Sequence, residues 1–313
     1  MMIGFTQWDV FVSGDIDKNS PEKFRKSVEN IHNVVYVHLD SPGGNLISGM
    51  EIGRIIRKLG FSTYVNKQIP GTDKTQKGEC YSACALTFLG GNFRFIDKES
   101  IYGVHRFYNE NSLQPSKDDL DTGQILTTAI ANYINEMGVN SSLMNLIVSV
   151  GKNEMYVLSN DEIKSLEVTN DGRLKPEWTI ESVEGGQYLK GLQYTSYGLG
   201  KTIFYCNPNK SISILSVYEF GEEPMKRWVH SLIIDDKTYH LNPIGEVKIY
   251  SNGFINTNFN LTPELARLIY KSQSFGHAMQ MTVDAPTFKG YRVEIPENKR
   301  PMIKNFIENC LSK

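Results

Sequence analysis

Strand-like and helix-like segments alternate along the first half of the sequence, and this alternation most constrains the fold. The strand-like segments, rich in β-branched and aromatic residues, are 9–16, 34–39, 62–66, 93–97 and 101–107. The helix-like segments, which carry helix start signals or apolar residues at helical spacing, are 20–31, 46–60, 82–91 and 120–138. Because crossovers of this length connect parallel strands, the pattern predicts an α/β layer architecture.

The pattern changes near residue 170, where hairpins replace the alternation. The candidate turns are GLGK at 198–201, DDKT at 235–238 and Asn252-Gly253, the strongest short-range hairpin signal in the chain. Helices are predicted at 262–272 and 297–311, and we expect Pro301 to bend or restart the second. The sequence therefore predicts an α/β domain over 1–170 and a β-rich, α+β domain over 171–313.

Composition and residue spacing exclude several classes of function. A net charge of -2 gives no electrostatic reason to bind nucleic acid, and no apolar run approaches the ~20 residues that span a bilayer. We also find no Gly-rich phosphate loop. His38 and Asp40 are expected to be exposed strand residues, and His230, His240 and His277 show no ligand spacing. We therefore predict no nucleic acid, no membrane span, no metal and no cofactor.

The stretch LDSPGGN at 39–45 joins a predicted strand directly to a predicted helix. Gly43 and Gly44 permit backbone angles that other residues avoid, and they leave a bare amide exposed. At such a junction backbone amides can point at an anion. The alternative interpretation is an ordinary tight turn between strand and helix.

A serine opens the next predicted helix, in the stretch GECYSACALTFLGG at 78–91. The hydroxyl of Ser82 lies beside the amide of Ala83 at the positive end of the helix dipole. The alternative is that Ser82 only caps the helix. His105 ends a predicted strand further along the chain, where a half-exposed histidine is the alternative to a functional one.

Together, SPGG, a serine opening a buried small-residue helix and a strand ending in histidine resemble the Clp protease proteolytic subunit and its relatives in the ClpP/crotonase superfamily. The resemblance covers roughly residues 9–168, and VLSNDEIKSLEVTN at 157–170 is similar to a further family segment. The sequence also resembles a group of ClpP-like predicted envelope proteins with C-x-S-A-C at the nucleophile. The resemblance implies a repeated β-β-α superhelical core in the first domain.

The same resemblance implies roles for individual residues. Ser82 corresponds to the nucleophile and His105 to the general base, while Gly44 and Ala83 correspond to the donors of the oxyanion amides. Two cysteines flank the serine, and the alternative of a catalytic Cys84 lacks a base that we can name.

The third member of the expected triad departs from the family pattern. Met155 stands where the family usually has aspartate, and Asn153 and Glu154 are the neighbouring substitutes. We favour Asn153, because an amide orients an imidazole by hydrogen bonding, although it cannot stabilise the imidazolium as a carboxylate does. The remaining alternative is a dyad of Ser82 and His105 without a third member.

The resemblance implies a serine hydrolase, specifically a peptidase, acting on a peptide or protein substrate. A catalytically weak or inactive ClpP-fold protein that binds peptides or scaffolds partners is the first alternative, and Met155 favours it. A crotonase-type acyl-CoA enzyme is the second alternative, and SPGG with Ser82 and His105 argues against it. The family forms rings through the helix that corresponds to 120–138, so a homo-oligomer is also an expectation.

Two disulfides are expected, the first from helical spacing and the second from the resemblance to the envelope group. Cys80 and Cys84, about 6 Å apart at helical spacing, form one candidate pair, and Cys206 and Cys310 form the other. The alternative is four reduced thiols. The pairs favour the periplasm or secretion, whereas the first residues show no signal peptide, which leaves the cytoplasm as the other expectation.

Overall fold

The computed structural model describes residues 1–6, 8–31, 36–107, 117–151, 154–219, 228–245, 247–250, 253–282 and 288–312, with only the backbone of 117–122. Contacts between residues divide the chain into two compact units. Unit 1 is Met1–Gly172 and unit 2 is Arg173–Lys313. Each unit has its own cluster of buried apolar side chains.

Strands and helices alternate through unit 1. The strands are β1 Met2–Phe5, β2 Asp9–Ser13, β3 Tyr36–Asp40, β4 Ser62–Val65, β5 Lys67–Gln68, β6 Thr75–Gln76, β7 Glu79–Tyr81, β8 Arg94–Ile96, β9 Ile101–Val104 and β10 Tyr156–Val157. The helices are α1 Ser20–Val28, α2 Leu46–Leu59, α3 Ala83–Leu89, α4 Lys117–Glu136, α5 Ser142–Ser149 and α6 Asn160–Ser165.

The main sheet of unit 1 has the order β1-β2-β3-β4-β8. Strands β2, β3, β4 and β8 pair in parallel, and β1 adds an antiparallel edge. A second sheet has the order β10-β9-β7, with β7 and β9 parallel. Parallel strands joined by helical crossovers confirm the predicted α/β architecture.

Two helices of unit 1 show how the local sequence sets their ends. Helix α2 begins after Asn45, whose side chain accepts a hydrogen bond from Ser48 N–H, and ends at Gly60, with φ +73°. Helix α1 begins one residue earlier than its serine suggested. Asn19 holds the N-cap position, whereas the Ser20 hydroxyl donates to Asp17.

The polar segment 67–79 is not one loop, as the sequence suggested. It contains the small hairpin of β5 and β6 and then the start of β7. Polar residues form this hairpin because Lys67 and Gln68 pair with Gln76 and Thr75 through the backbone, which needs no apolar side chain.

Antiparallel strands dominate unit 2. They are β11 Glu177–Val183, β12 Gly186–Thr195, β13 Gly198–Cys206, β14 Ile212–Glu219, β15 Val229–Ile234, β16 Lys237–His240, β17 Lys248–Ile249, β18 Phe254–Leu261, β19 Ser274–Gln280 and β20 Lys289–Glu294. They form sheets with the orders β11-β12-β13-β14-β18-β17 and β16-β15-β19-β20. Helices α7 Pro263–Ile269 and α8 Arg300–Ser312 accompany them, which agrees with the predicted β-rich, α+β character.

The turns of unit 2 agree only partly with the sequence signals. The DDKT turn is confirmed, because Ile234 pairs with Lys237. The prediction of a turn at GLGK is wrong. These residues lie inside β13, and the turn that connects β12 to β13 is at 196–197. Residue 252 of the Asn252-Gly253 signal lies outside the described residues. Pro301 lies in the first turn of α8, which restarts after a 3-10 turn.

Candidate active site

The SPGG segment continues β3 toward the start of α3. Ser41 forms a bridge with Cys80, and its hydroxyl donates to Gly14 O at 2.7 Å and accepts from Gly43 N–H at 3.1 Å. Gly43 has φ +101° and Gly44 has φ +130°, which is backbone that L side chains rarely adopt. The backbone conformation of this segment therefore requires glycine at both positions.

The peptide between Gly43 and Gly44 has a fixed direction. Gly43 O accepts a hydrogen bond from Ile16 N–H at 2.7 Å. Because the C=O and N–H of a trans peptide point in opposite directions, the Gly44 N–H points away from Ile16. A Cβ on Gly43 would lie 2.7 Å from the Ser82 Cβ and 3.0 Å from the Ala83 N, so the segment lies directly against the start of α3.

Ser82 has an unusual backbone conformation for a residue with a side chain. Its φ of 59° and ψ of -122° match the first central position of a type II′ turn, which favours glycine. Such conformations cost about 1–3 kcal/mol and persist only where the surroundings enforce them. Ser82 N–H donates to Gly103 O at 3.1 Å, and the side chain, 8% exposed, makes no capping hydrogen bond. Its position therefore differs from that of an ordinary helix cap.

The hydroxyl of Ser82 instead contacts the imidazole of His105. The distance between Ser82 Oγ and His105 Nε2 is 2.8 Å. In the tautomer with the proton on Nδ1, the hydroxyl donates this hydrogen bond to Nε2. Tyr81 pairs with Gly103 where β7 and β9 run in parallel, so the residues that follow these two strands meet at one end of the sheet.

Close packing fixes helix α3 behind the serine. A Cβ on Gly49 of helix α2 would lie 2.5 Å from Ala83 O, so only glycine allows the two helices to approach this closely. Thr87 Oγ1 lies 3.0 Å from both Gly49 O and Ala83 O, and Tyr102 OH donates to Ala85 O at 3.1 Å. Burial raises the pKa of Tyr102, so its phenol remains a hydrogen-bond donor.

Both predicted disulfides are present. Cys80 and Cys84 are bonded with 5.2 Å between their Cα atoms, and Cys206 is bonded to Cys310. The expectation of four reduced thiols is therefore wrong. A catalytic Cys84 is also contradicted, because a sulfur in a disulfide has no thiolate to attack with.

The structure leaves the third member of the triad as a prediction. Asn153, the favoured residue, lies outside the described residues. Glu154 is exposed, and Met155 is 42% exposed.

His38 is buried, which contradicts the expectation of an exposed strand residue. Its Nδ1 lies 2.6 Å from Asn66 Oδ1, and its Nε2 lies 3.1 Å from Asp9 Oδ1. Its ring is stacked between those of Phe11 and Tyr64, which are aligned with it on the neighbouring strands. Alternation along one strand gave no sign of this burial, because the partners come from β2 and β4.

Two of the histidines that looked scattered in sequence meet inside unit 2. His230 Nδ1 lies 3.1 Å from His277 Nε2, and His277 Nδ1 lies 2.8 Å from Ser216 Oγ. Burial, with a contribution from the charge of His230, lowers the pKa of His277 to about 3. Burial also lowers the pKa of His230. Linear spacing missed this pair, because antiparallel pairing of β15 with β19 brings the residues together.

A cavity of about 440 Å³ in unit 1 lies along β1 and β2 and includes His38, Asp40 and Asn66 among its lining residues. Neither Ser82 nor His105 lines it. Within the described ranges, no group of three or more His, Cys, Asp or Glu side chains is placed to hold a metal ion. None of the described helices combines the length and apolar character that crossing a bilayer requires.

Comparisons with known proteins find similarity in structure. No protein-family model and no curated protein matches the sequence. A single-residue mutant of the membrane-bound stomatin-specific protease 1510-N is similar at 18% identity and a TM-score of 0.36, over 51% of this chain and 75% of that one. A single-residue mutant of ClpP1 from Listeria monocytogenes is similar at 19% identity and a TM-score of 0.40, over 52% of this chain and 90% of that one.

Proposed function

We propose that this chain is a serine hydrolase of the peptidase class, with Ser82 as nucleophile and His105 as general base. The observation that carries the proposal is the 2.8 Å distance between Ser82 Oγ and His105 Nε2. A nucleophile and a base within hydrogen-bond reach are the minimum requirement for acyl transfer through a covalent intermediate. The positive φ of Ser82 supports the proposal, because strained backbone is frequent at functional sites.

The first half of the reaction forms an acyl-enzyme. Ser82 Oγ attacks the carbonyl carbon of the substrate while His105 Nε2 accepts the hydroxyl proton. The carbonyl oxygen gains negative charge and accepts hydrogen bonds from Gly44 N–H and Ala83 N–H. Two features support these donors: the Gly44 N–H points away from Ile16, and Ala83 is the first residue of α3, so its N–H has no acceptor within the helix.

The second half releases the products. His105 donates its proton to the leaving amine, and the C–N bond breaks. A water molecule then attacks the acyl-enzyme with His105 again as base, which frees the carboxylic acid and restores the Ser82 hydroxyl. Asn153 is the proposed residue that orients the imidazole. An amide at this position cannot stabilise the imidazolium as a carboxylate does, so the reaction is expected to be slow.

Labelling with a fluorophosphonate probe tests this function directly. We expect the folded wild-type chain to be labelled and Ser82→Ala to abolish labelling. Ser149→Ala is the matched control, because Ser149 is an exposed serine whose hydroxyl donates only to its own helix, at Leu146 O. Wild-type protein that stays unlabelled when folded and concentrated contradicts the proposal. Cleavage of a peptide library, read by mass spectrometry, then separates a peptidase from an esterase.

The second candidate function is a catalytically weak or inactive ClpP-fold module that binds peptides or scaffolds partners. The exposed Met155 at the position of the expected carboxylate favours it. Peptide binding that persists in Ser82→Ala, together with an absence of labelling in the wild type, would support this candidate. A negative test for CoA binding excludes the acyl-CoA alternative.

Two further parts of the proposal concern the cell and self-association. The two disulfides support an oxidising compartment, either the periplasm or the exterior, since the cytosol keeps most thiols reduced. Helix α4 is the proposed surface for a homo-oligomer, and its Ile125 is 68% exposed. Light scattering on the wild type and on Ile125→Glu tests this proposal, and a wild-type monomer contradicts it.

A further inference from the structure

The Cys80–Cys84 disulfide encloses the residue that the proposed reaction depends on. Its two sulfurs close a covalent ring around Tyr81, Ser82 and Ala83, at the junction of β7 and α3. Cys80 is anchored by strand pairing with Tyr102 and by a bridge to Ser41. Cys84 lies in the first turn of α3, and neither cysteine is exposed to solvent.

The ring also contains the strained residue. Ser82 has φ 59° and ψ -122°, a conformation that an L residue leaves unless its neighbours are held. On the strand side, Tyr81 N–H donates to Ser41 O and Ser82 N–H donates to Gly103 O, each at 3.1 Å. The Ser82 side chain adds no capping bond that would hold the start of the helix. The disulfide is a second covalent connection, besides the backbone, between the strand side and the helix side.

A general stabilising role accounts poorly for this bond. In the chain-entropy description, a disulfide stabilises a fold more when the loop that it closes is longer. Cys80 and Cys84 are separated by four positions, whereas Cys206 and Cys310 are separated by 104. The short ring therefore restricts the unfolded chain much less than the long one does, while it restricts the backbone of Ser82 directly.

We propose that Cys80 and Cys84 are positioning residues, whose disulfide holds Ser82 at positive φ and keeps its hydroxyl against His105. This inference rests on the proposed serine hydrolase function. Without the bond, Ser82 relaxes toward negative φ and its hydroxyl leaves His105 Nε2. The consequence is a fold that persists with a site that is no longer assembled.

Kinetics of acylation test the role. The variant is Cys80→Ala/Cys84→Ala in the full chain, and the matched control is Cys206→Ala/Cys310→Ala, which removes the other disulfide. We expect the cysteine variant in unit 1 to react with the fluorophosphonate probe about 100-fold more slowly, the order of loss that a displacement near 1 Å causes. The control is expected to react at the wild-type rate at a temperature where it is folded.

A second readout does not depend on activity. In the wild-type background, Ser82→Ala removes the hydrogen bond to His105 and changes the ¹⁵N chemical shift of Nε2. In the Cys80→Ala/Cys84→Ala background, Ser82→Ala is expected to leave that chemical shift unchanged, because the contact is already lost. If the wild type is never labelled, the hydrolase function fails, and this cycle still decides whether the disulfide positions Ser82.

Three results would overturn the inference. One is a wild-type acylation rate in the folded Cys80→Ala/Cys84→Ala variant. Another is a chemical-shift response to Ser82→Ala that persists in that background. The third is loss of the fold in two different variants. If the Cys80→Ala/Cys84→Ala variant is unfolded, we replace it with Cys80→Ser/Cys84→Ser, which keeps the side-chain size. Loss of the fold in both variants means that the bond supports unit 1 as a whole rather than Ser82.

Discussion

Ser82 Oγ lies 2.8 Å from His105 Nε2, although 23 positions separate the two residues in sequence. The parallel pairing of β7 with β9 brings them together, because each residue follows the end of its strand. Their catalytic roles stay predictions, and the geometry defines the substitutions that test them.

Replacing the proposed base is expected to slow acylation strongly. His105→Gln keeps a polar side chain but cannot accept the serine proton, so the rate of fluorophosphonate labelling should fall by about 10³–10⁴. Stopped-flow or gel-based labelling against time measures this rate. The control is His240→Gln, an exposed histidine of β16 in unit 2, which should label as the wild type does. If the two variants are labelled at equal rates, His105 is not the general base.

Adding one methyl group at Gly43 is expected to disrupt the site. The new Cβ would lie 2.6 Å from Tyr81 O and 2.7 Å from the Ser82 Cβ, and φ is +101°. We expect Gly43→Ala to lower the labelling rate by about 10²–10³, as the loss of an oxyanion donor does. We expect it to lower the unfolding free energy by about 2–4 kcal/mol.

Gly71→Ala is the matched control for this substitution. Gly71 also has a positive φ, +76°, but a Cβ there would meet nothing within 4 Å. Its cost is limited to backbone strain, about 1 kcal/mol, and its labelling rate should equal that of the wild type. If Gly43→Ala behaves like Gly71→Ala in both measurements, Gly43 does not pack against the serine as described.

The stability of unit 2 is expected to fall in acid because of His277 and His230. Burial lowers the pKa of His277 from 6.5 to about 3 and also lowers that of His230. Between pH 3 and pH 6.5 the unfolded chain therefore binds more protons than the folded chain does. Stability is therefore complete above pH 6.5 and decreases as the pH falls toward 3, by about 1.4 kcal/mol per pH unit for each proton.

Hydrogen exchange at the β19 amides of the full chain, measured from pH 7 to pH 4, checks this dependence. His277→Gln keeps a polar partner for Ser216 and removes the titrating ring. The slope of the opening free energy against pH should therefore decrease by the amount that one proton contributes. His240→Gln, at the exposed strand β16, should keep most of the wild-type slope. An unchanged slope in His277→Gln would show that other groups cause the acid sensitivity.

Loss of the long disulfide is expected to weaken unit 2 more than loss of the short one weakens unit 1. Cys206→Ala/Cys310→Ala opens a loop with a separation of 104, for which the chain-entropy description gives about 4–5 kcal/mol. Urea unfolding followed by the fluorescence of the buried Trp178 measures this loss. A loss well below 2 kcal/mol would indicate that the unfolded state of unit 2 is already compact.

Local sequence signals predicted the parts of the fold that depend on neighbours in the chain. Asn45 and Gly60 bound helix α2, and the DDKT turn lies between β15 and β16, because capping and turn chemistry act within a few residues. The GLGK prediction was wrong for the same reason. Its glycines resemble a turn locally, but pairing with β12 and β14 keeps them inside β13.

Side-chain environments that combine distant strands were the parts that sequence spacing missed. His38 looked exposed from alternation in one strand, yet Asp9 and Asn66 hold it in a buried position. His230 and His277 had no common pattern, yet the register of two antiparallel strands places their rings 5.2 Å apart. Register across a sheet depends on the whole hydrophobic pattern, so a single segment does not reveal it.

The alternation of strands and helices, the SPGG segment, and the serine and histidine that follow it in order can all be read from the chain without a structure. The hydrogen bond from the Ser82 hydroxyl to His105, and the positive φ of Ser82, became visible only when the strands and helices were packed together. The two kinds of interaction differ in range. Propensities and caps act over a few residues, whereas the pairing of β7 with β9 and the packing of Gly49 against Ala83 act between segments far apart in the chain.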